Sequence, residues 1–249
     1  MAAMPTAAPI SRDVVSFVRR GGRMNPSQQR AWDTHSDWIV TVPRLDRETS
    51  IAPDARVEWD ALFGRSAPLM VELGSGTGDA ITAAGLARPE ANHVAIEVFL
   101  PAIGSTLSKL DRAGVGNVRV LLADGVQALG TIFEPGSITE LSTWFPDPWP
   151  KARHQKRRLV NPAFAALVSS RLVPGGLWRL ATDAEDYALQ MREVLDAEPA
   201  LENVHEGWAP RPDLRPVTRF EQRALSAGRT VHDLEYRSST ALAQPDAPA

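Results

Sequence analysis

The sequence predicts an α/β fold built on a doubly wound, mostly parallel sheet with an antiparallel strand at its edge. Three observations carry that reading. From Leu69 onward, short apolar runs alternate with helical stretches across brief glycine- or proline-bearing joints, the pattern of strand–helix–strand units. The first run ends in a glycine turn, VELGSGTGD, that leads directly into a helical stretch, a geometry that offers backbone amides to a ligand. Carboxylates then stand at the ends of the next runs, at Glu97, Asp124 and Asp147, where open α/β sheets bind their ligands.

Each element follows in order. LMVEL forms the first strand, with a helical stretch to Leu86 behind its glycine turn; HVAIEV is the second strand, followed by the helix PAIGSTLSKLDRAG. NVRVLLA is the third strand and GVQALG a short helix, and the apolar, β-prone ITELSTWF is a fourth strand ending at Trp144 and Phe145. The helix NPAFAALVSSRL, a turn at VPGG, the strand LWRLAT and the helix AEDYALQMREVLDA come next. The closing TRFEQRALSAGRTVHDLEYR reads as a helix capped near Gly228 and a final alternating strand, antiparallel at the sheet edge.

A chain of 249 residues with 43% hydrophobic and 23% charged residues is long enough for one sizeable core. No apolar stretch approaches the length of a membrane-spanning helix, and the opening MAAMPTAAPI lacks the charged and apolar regions of a secretory signal. The absence of cysteine excludes disulfides, cysteine-ligated zinc and thiol nucleophiles. The five histidines show no metal-binding helical spacing, and no G-x-S-x-G elbow supports serine hydrolysis, so neither a metal nor a hydrolytic triad is expected. Residues 1–15 and 239–249 read as disordered tails, 61–238 as the main domain, and 16–60 as an N-terminal extension mixing basic residues with Trp32, Trp38 and Trp59. That extension lies on the core or on a substrate.

The most informative segment is WFPDPWPKARHQKRR, Trp144 to Arg158. Asp147 sits where a strand gives way to a loop, flanked by Trp144 and Trp149, and Lys151, Arg153, Lys156, Arg157 and Arg158 follow at once. A basic cluster in a chain of formal net charge -3 points to a polyanion. The prolines could instead only stiffen a loop whose cations form a solvated face, although aromatics beside a carboxylate suit a nucleobase better than a linker.

Gly74, Gly76 and Gly78 let a ligand approach the backbone, yet the dinucleotide spacing G-x-G-x-x-G is broken by Asp79. Glu97, about twenty residues on, stands where an acid commonly binds ribose hydroxyls. A nucleoside cofactor without a diphosphate fits both, and S-adenosylmethionine is such a cofactor. Glu72 would face its methionine half, Gly74 and Gly76 would admit its backbone contact, Glu97 would take the ribose and Asp124 the adenine amino group. Each carboxylate could alternatively be a helix N-cap.

At this point the chain resembles the bacterial tRNA (guanine-N7)-methyltransferases. VELGSGTG, IEVFLPAIG, LLADG, FPDPWPKARHQKRR, LATD and TRFEQR occur in that family's order, and the likeness runs from about Ser16 to Arg237. The resemblance implies a Rossmann-like methyltransferase sheet, a cytoplasmic enzyme, S-adenosylmethionine as cofactor and tRNA as partner, with a monomer favoured. It places cofactor contacts on Glu72, Glu97, Asp124 and Asp147, and makes Asp147 the catalytic residue. Substrate contacts fall on Lys151, Asp183, Thr218, Arg219, Phe220 and Glu221, and RNA contacts on Arg153, His154, Gln155, Lys156, Arg157 and Arg158. The N-terminal stretch SFVRRGGR is RNA-facing in this reading. Phe99 and Ala102 depart from the family's expected His and Gly. On the residues alone, Thr218 with Glu221 is also a plain capping pair, and Asp183 an N-cap for the helix that follows. Competing readings are another S-adenosylmethionine-dependent RNA methyltransferase, an RNA-binding module with a vestigial cofactor pocket, and an NAD-dependent oxidoreductase, the last disfavoured by Asp79.

Overall fold

A computed structural model describes residues 15–17 and 22–239; the tails expected at 1–15 and 239–249 lie outside the described residues except at positions 15 and 239. Seven strands form one sheet in the order β3-β2-β1-β4-β5-β7-β6. They are β1 (Leu69–Leu73), β2 (Asn92–Glu97), β3 (Val118–Leu122), β4 (Ile138–Trp144), β5 (Leu172–Thr182), β6 (Leu201–Asn203) and β7 (His232–Ser238). Strands β1 to β5 pair in parallel, and β7 runs antiparallel to both β5 and β6. The helices are α1 (Pro26–Thr34), α2 (Trp59–Phe63), α3 (Asp79–Ala87), α4 (Leu100–Ala113), α5 (Gly125–Thr131), α6 (Pro162–Arg171), α7 (Glu185–Asp196) and α8 (Arg219–Ser226).

Alternation along the strands assigns the two faces. Val94, Ile96 and Leu121 pack with Leu129, Phe164, Trp178 and Tyr187 on the α5–α6–α7 side. Their neighbours Ala95, Val120 and Leu122 pack with Ile81, Ile103, Leu107 and Leu110 on the α3–α4 side. Burial on both faces explains why these strands read as continuous apolar runs. Local chemistry sets the helix ends: Asn161 caps α6 by accepting from Phe164 N ahead of Pro162, and Gly114 closes α4 in the left-handed region at φ 66°.

Two features depart from the sequence expectation. The final strand β7 is not outermost, because LEN at 201–203, too short to show a pattern, adds β6 beyond it. The VPGG segment is not a free turn but an irregularity inside β5, where the pairing with β4 jumps from Ile138↔Leu172 to Glu140↔Leu177. Of the two positions open to the N-terminal extension, residues 39–63 take the core: Val40 N donates to Val120 O, the Arg44 guanidinium to Leu122 O, and Val40, Val42, Ile51 and Ala55 are buried.

The β5 irregularity needs glycine for space. A Cβ on Gly176 would sit 2.9 Å from Val173 O, 3.1 Å from Thr139 O and 3.2 Å from Ile138 O, all backbone atoms that cannot swing aside. Gly176→Ala is therefore expected to destabilise the fold by about 1–3 kcal/mol, whereas Gly116→Ala, where a Cβ meets nothing within 4 Å, leaves it within about 0.5 kcal/mol. Urea unfolding of both variants checks this; equal midpoints would refute the close approach.

Candidate active site

The carboxyl ends of β1 to β4 meet at a cavity of about 480 Å³, within the range of small-ligand sites. Glu72, Gly74, Gly76, Glu97, Asp124 and Asp147 all line it, and so do Thr218, Arg219 and Phe220 of the α8 segment. The glycine turn forms the floor at the N-terminus of α3. Gly74 and Gly76 take φ values of 71° and 53°, and a Cβ on either would meet nothing within 4 Å. Their bare backbone therefore borders open space, as a cofactor pressed against the turn requires. Gly78 has a different reason: at φ 81° it lies so close to Thr106 of α4 that a Cβ would come within 2.6 Å of that side chain.

Glu97 is a bracket before it is a ligand. Oε2 accepts from Gly76 N at 2.8 Å, while Oε1 accepts from Val98 N at 2.7 Å and Phe99 N at 2.9 Å. Three of roughly four lone-pair directions are thus used by the backbone, which leaves Glu97 one position for a ribose hydroxyl rather than the two that both hydroxyls would need. Burial raises its pKa, the three amides hold the rise back, and Asp147 adds to it. Asp124 is a helix N-cap as well as a cavity wall: its carboxylate accepts from Val126 N at 2.9 Å at the start of α5. Glu72 is buried, and its carboxyl makes no hydrogen bond with a described residue. Burial, with Glu97 and Asp79 nearby, pushes its pKa up to about 8. An acidic floor of this kind favours a cationic ligand such as a sulfonium bearing an ammonium group.

Asp147 stands in a strained loop. Phe145 and Trp149, on either side of Pro-Asp-Pro, adopt φ of 52° and 45°, a left-handed geometry that bulky residues resist. Two buried arginines hold it there. Arg215 pairs with Asp233 and with Glu221 of α8 and lays its guanidinium 4.8 Å from the Trp144 ring and 5.6 Å from Phe145. Arg158 donates to Pro148 O at 2.9 Å and to Gln190 at 2.6 Å, pairs with Asp186 and covers the Tyr187 ring. Arg158 is only 3% exposed, which corrects its assignment to RNA contact, since a guanidinium already spent on Asp186 and a carbonyl cannot reach phosphate. Trp149 is likewise occupied, donating from Nε1 to Ser16 O at 3.1 Å and stacking with the Arg157 guanidinium at 4.9 Å, so it serves the loop rather than a base.

The remaining cations behave otherwise. Lys151, just before a 3-10 turn over Ala152–Arg157, and Arg153, Lys156 and Arg157 on that turn are exposed, with His154 and Gln155 partly exposed among them. None lines the cavity. Surrounding Arg153, Arg157 and Lys151, together with desolvation as the first cause, lower the His154 pKa. Asp183 also lies outside the cavity, paired with Arg229 at 2.7 Å, and the α7 N-cap is Ala184, so Asp183 is not that cap. Thr218 caps α8 by accepting from Glu221 N at 3.2 Å. The Glu221 carboxylate does not close the box; it turns inward to Arg211 and Arg215 and is 2% exposed, which removes it from direct substrate contact. Arg215 and Arg223, the latter lining the cavity, were not singled out by the sequence. No group of three or more metal-ligating side chains occurs among the described residues.

The raised Glu72 pKa has a stability consequence. Between about pH 4.5 and 8 the folded chain keeps a proton that the unfolded chain releases, so stability falls as pH rises through that window and the loss is complete above it. Glu72→Gln lacks this loss. Relative to the parent, the variant should gain a few kcal/mol in stability from pH 5 to pH 9, as denaturation at several pH values would show; parallel pH curves would remove the buried carboxyl from that role.

Comparison with known proteins agrees with this geometry. The methyltransferase family model Methyltransf_4 matches residues 66–234. A tRNA (guanine-N(7)-)-methyltransferase from Cutibacterium acnes is 53% identical over 92% of this chain and 84% of its own length, and one from Nocardioides sp. is 48% identical over 91% and 88%. Among solved structures, the 16S rRNA methyltransferase KamB superposes with a TM-score of 0.55 at 15% identity, covering 80% of this chain and 99% of that one, a likeness of fold. With a family model spanning most of the domain and relatives near half identity over nine-tenths of its length, the chain belongs to the tRNA (guanine-N7)-methyltransferase family.

Proposed function

We propose that this protein transfers the methyl group of S-adenosylmethionine to N7 of a guanine in tRNA, and that the guanine lies in the variable loop. One observation carries the reading: a single loop joins both halves of such a site, with Asp147 on the wall of the acidic cavity and the exposed row Lys151, Arg153, Lys156 and Arg157 a few residues on. The relatives' names supply the nucleobase and the atom.

S-adenosylmethionine, when bound, supplies an electrophilic methyl group on a sulfonium. Gly74 and Gly76 would take its backbone-hugging end, Glu97 one ribose hydroxyl and Asp124 its adenine side. Glu72 would face the positive charge and release its proton to do so. Guanine N7 carries an in-plane lone pair, so no base is needed; the chain must align N7 with the methyl and keep water out. Positive charge moves from sulfur to purine, and Asp147 stabilises it there. N7 lies on the deep-groove edge of A-form RNA, so the base is unpaired or extruded before it enters. Phe220, 56% exposed on the cavity wall, is a stacking platform for it.

Labelled S-adenosylmethionine with an unmodified tRNA transcript, followed by nucleoside mapping, tests the assignment. Asp147→Asn keeps shape and loses charge, so the methylation rate should fall at least about a hundredfold with tRNA affinity nearly unchanged; near-normal turnover at saturation would sink the role of the charge.

Phosphate contacts by the exposed row predict a salt effect. Lys156→Gln with Arg157→Gln should flatten the slope of log affinity against log salt by about one to two units and leave cofactor binding intact, because neither side chain lines the cavity. An unaltered slope across a salt titration would place the polyanion elsewhere, on Arg23 or on Arg19 and Arg20, which lie outside the described residues.

A further inference from the structure

Most arginines around the site are matched: Arg158 to Asp186, Arg211 and Arg215 to Glu221, Arg229 to Asp183. Arg219 and Arg223 are not. Both line the cavity from α8, both are exposed, and neither guanidinium makes a hydrogen bond or ion pair with a described residue. Four residues apart on one helix, they share a face and repel each other. They also border a cavity whose floor carries Glu72 and Glu97 without bonding either. Two guanidiniums kept together beside carboxylates, without a partner among the described residues, form a subsite for an anion that arrives from outside.

We propose that Arg223, together with Arg219, grips a phosphate flanking the target guanosine, holding the nucleotide's backbone on α8 while its base enters the cavity. The inference rests on the tRNA reading above. Phosphate fits better than the cofactor's carboxylate, because the arginines belong to the same helical turns as exposed Phe220, the residue offered to the incoming base. The guanidinium fork matches a phosphate's paired oxygens. The RNA strand is then held at two places, by the 151–157 turn on the β4 side and by α8, with the base between them.

The test pairs the R223A variant with an altered substrate. Wild type and R223A are assayed on the unmodified transcript and on transcripts carrying a neutral methylphosphonate at either phosphate flanking the guanosine that is methylated. Wild type should lose about tenfold in kcat/KM, mainly through KM, at one of the two positions. R223A should show that loss already on the unmodified transcript and less than about twofold more on the altered one, with R223K in between. Full additivity, or no effect of either methylphosphonate on wild type, overturns the inference while leaving the tRNA reading in place. A weakened S-adenosylmethionine affinity of R223A by calorimetry overturns it too, reassigning the pair to the cofactor. If wild type methylates no tRNA guanine, the tRNA reading fails and takes this inference with it.

Discussion

The site depends on a backbone that leaves β4 in a conformation its own residues disfavour. Phe145 and Trp149 each occupy the left-handed region, at a cost of order 1–3 kcal/mol apiece. The compensation comes from outside the loop. Arg215 bridges α8 and β7 beneath Trp144, and Arg158 ties the loop's far end to α7. Removing Arg215 would leave Asp233 buried without its ion-pair partner and Glu221 with Arg211 alone, a loss of about 3–5 kcal/mol. Asp147 is thereby fixed by charges that never touch its ligands.

A second organising feature is the separation of charge by depth. Carboxylates line the floor, where burial raises the pKa of Glu72 and Glu97; guanidiniums and lysines occupy the rim and the adjoining turn. A near-neutral total hides a deep set of carboxyls, Glu72 among them protonated until a cation draws its proton off, and an outer set of fixed positive charges. The deep one suits a small cation and the outer one a polyanion, so the two reactants are sorted by where each is attracted rather than by competition for one pocket.

Much of this was legible in the chain. The glycine turn announces itself because left-handed backbone at an open floor leaves little choice of residue, and the five parallel strands because burial on both faces demands continuous apolar runs. The acids at strand ends were visible for the same topological reason. What stayed hidden depends on partners remote in sequence. Arg158 looks like its neighbours until Asp186 and Gln190 come beside it. Glu221 looks like half of a capping box until Arg211 and Arg215 turn it inward. VPGG has turn chemistry, yet β4 pairs on both sides of it. Glu97 was readable as an acid at a strand end, but not the three amides that share it.

The boundary between Arg157 and Arg158 bears on whether this loop is a portable module. In the sequence, Trp144 to Arg158 looks like a cassette that could be grafted onto another parallel sheet. Its fasteners, however, belong to the host: Asp186 and Gln190 sit on α7, and Arg215 is held by Glu221 and Asp233. A transplant of the fifteen residues alone would carry the row of cations but not the backbone that presents them, so such loops should diversify only together with α7 and the segment leading into α8.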